Sequence, residues 1–410
     1  MTGPDPLRRY LLLLALRWFP VGLAIPVLVL LGLSRGLTLA EVGLAVSMQG
    51  FVVLALELPT GGLADSWGRR PVLLLAAAIA TLALLLLATA DSFAEFAVVY
   101  LLQGVYRALD SGPLQAWYVD AALAADPNAR LEKGLSAGGT VLGVAIGLAA
   151  LASGAVIAWV EIPGIPTLTL PIWLGLAVQL ANLVAILVLV REPARAHGRA
   201  FLPSLRGVPA VITESCRLVR RSRILLALLA VELCWGFSMV TFEMLMPVKL
   251  AEEVGGTQTA AALTGPAGAA AWFGSAAGAA LAPLLSARIG VAPTAAILRV
   301  AHGLTVAAMG LLAGPAGVLA GYLACYVVHG ASNPVHETLL HREISGSHRS
   351  TVLSMNSMIS QAAGAVGLIT LTALATATSV TTAITTGAIV LALAAPLYLP
   401  AARSRQLAQR

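Results

Sequence analysis

The chain has 410 residues, of which 59% are hydrophobic and only 11% are charged. Soluble domains carry about 25% charged residues, so this composition excludes a soluble protein and indicates a polytopic membrane protein. The net charge of +6 does not indicate nucleic-acid binding, because the basic residues are concentrated between long apolar runs. The three cysteines are isolated and form no CxxC pair, which argues against a disulfide framework or a metal site.

Twelve apolar runs are long enough to cross a bilayer, which takes about 20 residues. They predict an all-α membrane protein with 12 transmembrane helices. The first run continues to residue 33, too far for the apolar core of a signal peptide, so we expect no cleaved leader. The predicted spans cover residues 9–33, 40–63, 71–90, 95–122, 133–159, 170–190, 224–249, 260–286, 293–313, 315–340, 350–377 and 379–401.

Lys and Arg are distributed unevenly around these spans. With the N-terminus inside, 20 of the 25 basic residues fall in inside segments, three fall within spans, and only Arg35 and Lys249 lie outside. Because basic residues favour the cytoplasmic side, both termini are expected in the cytoplasm. We expect an integral protein of the plasma (inner) membrane, in contact with lipid and monomeric.

One long connection divides the spans into two sets of six. Residues 1–190 form the expected N-terminal bundle, 191–223 a basic cytoplasmic linker, and 224–410 the C-terminal bundle. The linker holds eight arginines. Its residues 208–218 suit an amphipathic helix on the inner membrane face, although a solvated tether is the simpler interpretation.

The two sets of spans show weak internal repetition. The stretch 65–71 aligns with 287–293 at an offset of 222, and both stretches end in Gly-x-x-Pro. The triplet Ser111-Gly112-Pro113 aligns with Ser332-Asn333-Pro334 at an offset of 221. Near-equal offsets in different places predict a duplication, and therefore two pseudo-symmetric six-helix bundles. In span 5, glycines at four-residue spacing predict close helix packing: Gly134, Gly138, Gly139, Gly143 and Gly147.

Ionisable residues inside spans are costly and therefore suggest function. Arg107 and Asp110 are three residues apart on one predicted helix, and this spacing lets them pair on one helix face. Arg299 lies near the inner end of span 9 and is expected to extend to the cytoplasm. The proton-coupling candidates are Glu57, Arg107, Asp110, Arg17 and Glu232. The alternative for the N-terminal four is a structural ion-pair network.

The stretch 57–73, ELPTGGLADSWGRRPVL, joins spans 2 and 3. Gly68 permits a turn with positive φ, and Pro71 suits the first turn of the next helix. The pattern Gly-x-x-x-Asp-x-x-Gly-Arg-Arg-Pro over 61–71 resembles the signature of the loop between helices 2 and 3 in the major facilitator superfamily. Ser66 departs from it, since the family usually has Arg or Lys there. The alternative is that this stretch is an ordinary positively charged cytoplasmic loop without a gating role.

The resemblance covers the whole chain and implies a gate at this loop. By resemblance, Asp120 at the inner end of span 4 pairs with Arg69 and forms a latch with Asp65. The gating or latch residues it implies are Gly61, Asp65, Gly68, Arg69, Arg70 and Asp120.

Span 4 resembles the family's second motif, with Gln103-Gly104, although Tyr100 stands where the motif has arginine. The stretches 108–112 and 117–120 look like a drug-efflux-like branch. The resemblance therefore implies proton-coupled export, by antiport and alternating access, of a small amphipathic compound or drug. The alternatives are a proton symporter or uniporter for uptake of a small metabolite, or a non-transporting membrane sensor or scaffold.

Aromatic and methionine side chains at helical spacing in span 7 suit a soft apolar wall for such a compound, with ordinary helix packing as the alternative. The side-chain amides of Asn and Gln residues and the carboxylate of Glu337 would add hydrogen-bonding groups to this wall. The substrate-cavity candidates are Gln49, Trp235, Met239, Trp272, Phe273, Asn333, Glu337, Asn356 and Gln361.

Enzymatic chemistry is not indicated. His336 and His341 resemble a zinc-protease motif, but they are five residues apart and so point about 140° apart around a helix. His302 and His329 are isolated and are expected to be packing residues. No phosphate-binding GxxxxGK[ST] occurs, so we expect no ATP-driven engine, no metal and no cofactor, with the proton gradient as energy source. The expected partners are a small-molecule substrate and protons.

Overall fold

The computed structural model describes residues 5–126, 131–192, 217, 219–343 and 349–402, without the side chains of 57–59, 61–66, 132, 349–351, 353 and 354. This part is almost entirely helical, and its β structure is one isolated bridge between Ile162 and Ile165. The α-helices are α1 (Pro6–Ala24), α2 (Leu28–Ser34), α3 (Leu39–Trp67), α4 (Arg69–Thr89), α5 (Phe93–Asp110), α6 (Pro113–Ala125), α7 (Leu131–Trp159), α8 (Leu170–Leu189), α9 (Arg223–Val240), α10 (Met246–Val254), α11 (Thr257–Ile289), α12 (Val291–Leu311), α13 (Gly314–Arg342), α14 (Arg349–Ala377) and α15 (Val380–Leu393). A π-helical turn, Thr241–Leu245, joins α9 to α10, and 3-10 helices cover Thr167–Thr169 and Ala395–Tyr398.

Nine helical stretches of the described chain are long and apolar enough to cross a membrane, and the bent pair of α1 and α2 would be a tenth. The two other expected spans coincide with α5 plus α6 and with α13. The helix α5 carries three charges, Glu95, Arg107 and Asp110, and α6 has only 13 residues, so neither is a simple apolar span. The helix order is consistent with twelve crossings, and the predicted all-α membrane fold is confirmed.

The predicted repeat is visible in the backbone. Gly68, before α4, has φ 94° and ψ 159°, and Gly290, before α12, has φ 89° and ψ 158°. Only glycine adopts this conformation without strain, so each turn depends on it. The second aligned pair differs: Gly112 has φ 99° and separates α5 from α6, whereas α13 continues unbroken past Pro334. The two halves thus share the glycine turn before α4 and α12, but only the first half has a helix break at the position of Gly112.

Contacts divide the chain into two compact units. Unit 1 comprises Met1–Leu37, Phe51–Gly207 and Ala261–Ala269, and unit 2 comprises the remainder. In unit 1, aromatic and aliphatic side chains of α1, α4, α6 and α8 form one buried core; in unit 2, α9, α12, α13 and the last 3-10 helix form another. The boundaries at 190 and 224 stay a prediction. The suggested amphipathic segment 208–218 lies outside the described residues, apart from Arg217.

The glycine stripe predicted in α7 is only partly used. The Cβ positions built at Gly139, Gly143 and Gly147 meet no described atom within 4 Å. Gly134 and Gly138 are buried, and a Cβ there would collide with the side chains of Tyr118 and Tyr10. A further close approach to α7 comes from Gly22 of α1, where a Cβ would lie 2.7 Å from the Cβ of Ala149.

We expect Gly22→Ala to destabilise the protein, because the added methyl has no room between α1 and α7. Overpacking of this kind costs about 1–3 kcal/mol, so the thermal midpoint of the purified protein should fall by several degrees. Gly147→Ala is the matched control, since it adds the same group in open space on α7. Equal midpoints for the two variants would contradict this packing.

Candidate functional site

A buried ion pair joins two helices of unit 1. The guanidinium Nε of Arg17, on α1, contacts the carboxylate of Asp110, which is the last residue of α5. Because α5 ends there, the backbone carbonyl of Asp110 has no partner within its helix, and Arg17 Nη2 donates to it over 3.3 Å. Asp110 is only 4% exposed. One arginine therefore satisfies both the charge and the terminal carbonyl of the same residue.

Two aromatic residues complete this pair. The Tyr106 side chain, one turn before Asp110, hydrogen bonds to both Arg17 and Asp110. The Arg17 guanidinium carbon lies 5.1 Å from the centroid of the Trp18 ring, in cation–π range. The Tyr106 hydroxyl and the Trp18 ring therefore both make favourable contacts with the charged groups of this pair.

The predicted pairing of Arg107 with Asp110 is wrong. Arg107 lies on an exposed face of α5, whereas Asp110 is buried and is bound by Arg17. An intrahelical pair at this spacing contributes only about 0.2–0.5 kcal/mol, which is too little to turn a buried carboxylate towards an exposed face. The partner came from a helix more than 90 residues away in the sequence, so helical spacing did not reveal it.

The predicted contact of Arg69 with Asp120 is present in unit 1. Arg69 Nη1 contacts the Asp120 carboxylate and also donates to the backbone carbonyl of Ala116 on α6. Arg70 Nη2 donates to the carbonyl of Leu187 on α8 over 2.7 Å. The two arginines of the turn thereby bind two different helices. Of the other turn and coupling candidates, Gly61, Asp65 and Glu57 lie on α3, with side chains outside the described part.

Glu192 is a residue of this turn that the sequence reading missed. Its carboxylate accepts hydrogen bonds from the backbone N–H of Arg69 at 3.0 Å and of Arg70 at 3.1 Å. The first N–H groups of a helix need acceptors, and Gly68, the residue before α4, has no side chain to supply one. An acid just beyond the end of span 6 was the available signal. Trp117 Nε1 also donates to the carbonyl of Arg191 over 3.2 Å, which holds the same segment.

Unit 2 holds a second buried polar cluster, which we call the Glu232 cluster: Glu232, Arg299, His336 and Tyr398. His336 Nδ1 lies 2.9 Å from the Tyr398 hydroxyl, and its Nε2 lies 3.6 Å from Glu232 Oε2. Arg299 Nε donates to the Tyr398 hydroxyl over 3.4 Å. Four side chains from separate parts of the sequence therefore meet in one place.

The prediction that Arg299 extends to the cytoplasm is wrong. Its side chain is 1% exposed. Its guanidinium finds a hydrogen-bond partner within the unit, since Arg299 Nε donates to the Tyr398 hydroxyl. The depth of Arg299 along its helix did not reveal this partner, because Tyr398 comes from the 3-10 helix Ala395–Tyr398, 99 residues further along the chain.

A family model described as the Major Facilitator Superfamily matches residues 10–335. The chain belongs to this superfamily. Two solved transporters share its fold: nucleoside transporter NupG, with a TM-score of 0.79, 14% identity and coverage of 96% of this chain and 98% of that one, and a bacterial homolog of the human lysosomal transporter Spinster, inward-facing and occupied, with a TM-score of 0.76, 14% identity and coverage of 98% of each chain. At such identities the similarity shows the fold alone. No curated protein matched the sequence.

Membership makes this chain a membrane transporter and not an enzyme. Some of the residues predicted to line a substrate cavity contact one another in the structure. In unit 2, Trp235 Nε1 donates to His329 Nδ1 over 3.4 Å, and the Asn333 amide lies 3.3 Å from His329 Nε2. His302 is fully buried, with its ring 5.6 Å from that of His329, so these two histidines lie together rather than apart.

The other cavity candidates of this transporter do not form one group in the described contacts. Gln49, Met239, Asn356 and Gln361 are half-buried, while Trp272, Phe273 and Glu337 are exposed, Phe273 by 73%. Asn356 hydrogen bonds to Glu232 and His336 and so borders the Glu232 cluster. The predicted apolar wall therefore stays a prediction.

Neutralising one member of the Arg17–Asp110 pair should destabilise the transporter more than neutralising both. Asp110→Asn or Arg17→Gln leaves an uncompensated buried charge, which costs about 3–5 kcal/mol, whereas the double variant leaves none. Chemical denaturation of the four proteins in detergent measures this difference. Asp91→Asn, at the exposed pair with Arg35, is the control and should change little. Additive single effects would show that the two groups do not interact.

Glu192→Gln should loosen the start of α4, because a neutral amide is a weaker acceptor for N-terminal N–H groups than a carboxylate. A loss of about 1 kcal/mol corresponds to roughly fivefold faster hydrogen exchange at the first amides of α4. Glu161→Gln is the control, since Glu161 is an exposed acid in the loop before α8. Unchanged exchange at the amides of Arg69 and Arg70 would argue against the role of Glu192.

Proposed function

We propose that this transporter exports a small amphipathic compound in exchange for protons, by alternating access. One observation carries the proton coupling: the buried Arg17–Asp110 pair, in which a carboxyl that is 4% exposed depends on a single guanidinium. Glu57, Arg107 and Glu232 are the further coupling candidates. The energy source is the proton gradient, and the protein acts as a monomer in the plasma membrane with both termini in the cytoplasm.

The physical basis of the coupling is the competition between burial and charge pairing. Burial disfavours a charged carboxyl, while a neighbouring guanidinium favours it. If the contact between α1 and α5 changes during transport, the carboxyl loses its partner and binds a proton; when the contact re-forms, the proton leaves. A substrate that alters the same contact would then exchange with the proton, which is antiport.

The inner turn supplies the gate in this proposal. Arg69 contacts Asp120 and α6, and Arg70 contacts α8, so the turn before α4 is bound to two neighbours within unit 1. Opening would require these contacts to break. Gly61, Asp65 and Gly68 are the remaining gating candidates of this turn. Export of an amphipathic compound is supported by the efflux-like stretches 108–112 and 117–120 in α5 and α6.

Transport in vesicles tests direction and coupling together. In inverted vesicles with an acidic interior, wild-type protein should accumulate fluorescent amphipathic dyes, drawn from a panel of stated structures, and release protons from the lumen. Asp110→Asn should lose the dependence of uptake on the pH gradient, because its side chain no longer exchanges a proton. Glu161→Gln, an exposed loop acid, should behave as wild type.

Two outcomes would overturn the proposal. Accumulation only in right-side-out vesicles, driven by an inward proton gradient, would make the protein an uptake symporter for a metabolite. No counterflow of any compound tested, together with unchanged folding and stability in charge-neutralised variants, would favour a sensor or scaffold.

A further inference from the structure

The hydrogen bonds of the Glu232 cluster meet at the Tyr398 hydroxyl. Arginine has only donors, so Arg299 donates and the Tyr398 oxygen accepts over 3.4 Å. The hydroxyl hydrogen of Tyr398 is then available for His336 Nδ1, 2.9 Å away. A neutral imidazole with an accepting Nδ1 carries its proton on Nε2. A Tyr398 hydroxyl that donates to Nδ1 thus favours the His336 tautomer with its proton on Nε2, the nitrogen nearer to Glu232.

The other ring nitrogen of His336 lies near Glu232. The distance from His336 Nε2 to Glu232 Oε2 is 3.6 Å. Ser360 and Asn356, both on α14, hydrogen bond to the Glu232 side chain as well. The charged groups that face it are Arg299 on α12 and Glu337 on α13. Glu232 itself is 9% exposed, so a carboxyl of low solvent access is surrounded by donors and by one cation.

The charge balance of the cluster makes Glu232 responsive to protons. With Glu232 ionised, its charge compensates that of Arg299, whose Nη1 has no hydrogen-bond partner among the described residues. A proton added to Glu232 would leave the guanidinium uncompensated and cost free energy in a buried place. Any movement that brings another acceptor or water to Arg299 would remove that cost. The proton occupancy of Glu232 is therefore coupled to the surroundings of Arg299.

The cluster is not a repeated feature of the fold. At the repeat offset of 222, the positions of Glu232, Arg299, His336 and Tyr398 correspond to Tyr10, Ala77, Leu114 and Leu176 in the first half. None of these is an acid, an arginine or a histidine. The Arg17–Asp110 pair also involves other helices and has no histidine. The two charge clusters thus arose at different places on a shared scaffold and act as separate groups.

We propose that Glu232 is a second proton-binding site, distinct from Asp110, with His336 and Tyr398 as positioning residues. The incoming proton bonds to a carboxylate oxygen of Glu232 and gives the neutral acid; His336 keeps its Nε2 proton, and release returns the same proton to water. The net charge of the cluster changes from zero to +1. This inference extends the proposed proton coupling, but the proton binding itself does not require export.

Infrared difference spectroscopy tests the site directly on the purified full-length protein in lipid nanodiscs. Spectra recorded between alkaline and acidic pH report buried carboxyl groups that take up protons. Glu232→Gln should remove one carboxyl band completely and leave the band of Asp110, whereas Asp110→Asn should do the reverse. Glu252→Gln, at an exposed acid paired with Lys249, is the matched control and should change neither band.

The positioning residues give a second measurement if Glu232→Gln does not fold. Tyr398→Phe removes the hydroxyl that hydrogen bonds to His336 Nδ1, so it should move the pH midpoint of the Glu232 band and not that of Asp110. His336→Leu should do the same, and His336→Gln, which retains an N–H donor, should restore part of the shift.

A Glu232→Gln spectrum identical to that of wild type, or midpoints unchanged in Tyr398→Phe and His336→Leu, would overturn the inference. The test is independent of transport: loss of dye export with both bands intact would refute the proposed function and leave the second site standing.

Discussion

Every buried charge in this protein needs its compensation within the protein, because apolar helices and a bilayer offer no water to an ion. Unit 1 meets this requirement with Arg17, which binds both the carboxylate and the terminal carbonyl of Asp110. Unit 2 meets it with Arg299 and Glu232, joined through a tyrosine and a histidine. These arrangements join helices through buried charged groups, and the proposed proton coupling depends on the same contacts.

The same requirement explains the inner turn. A helix that begins at a glycine has no side-chain cap, so the first N–H groups of α4 take the carboxylate of Glu192 from the end of span 6. The arginines beside them bind carbonyl groups of α6 and α8. The turn is therefore a junction between three helices of unit 1, and the segment leading into the basic linker is held at that junction.

The duplication preserved backbone geometry better than chemistry. Gly68 and Gly290 have nearly the same φ and ψ, because a tight turn between two spans leaves few conformations. Charged residues were free to differ, and the acid at Asp65 has Ala287 as its counterpart. The scaffold is thus common to both halves, while each buried cluster is specific to one of them.

The sequence by itself determined the membrane class, the order of the helices and the glycine turns, because hydropathy and short motifs are local properties of the chain. The pairing of Arg69 with Asp120 was expected from the resemblance to the family rather than from local properties. It did not reveal that Asp110 binds Arg17 rather than Arg107, that Arg299 is buried, or that Glu192 caps α4. Those contacts join residues roughly 60 to 120 positions apart, and a charge on a helix is compatible with a lipid-facing, cytoplasmic or buried position until its neighbours are known. Only the tertiary structure decided which it was, because the cost of burying a charge depends on partners that packing brings from other helices.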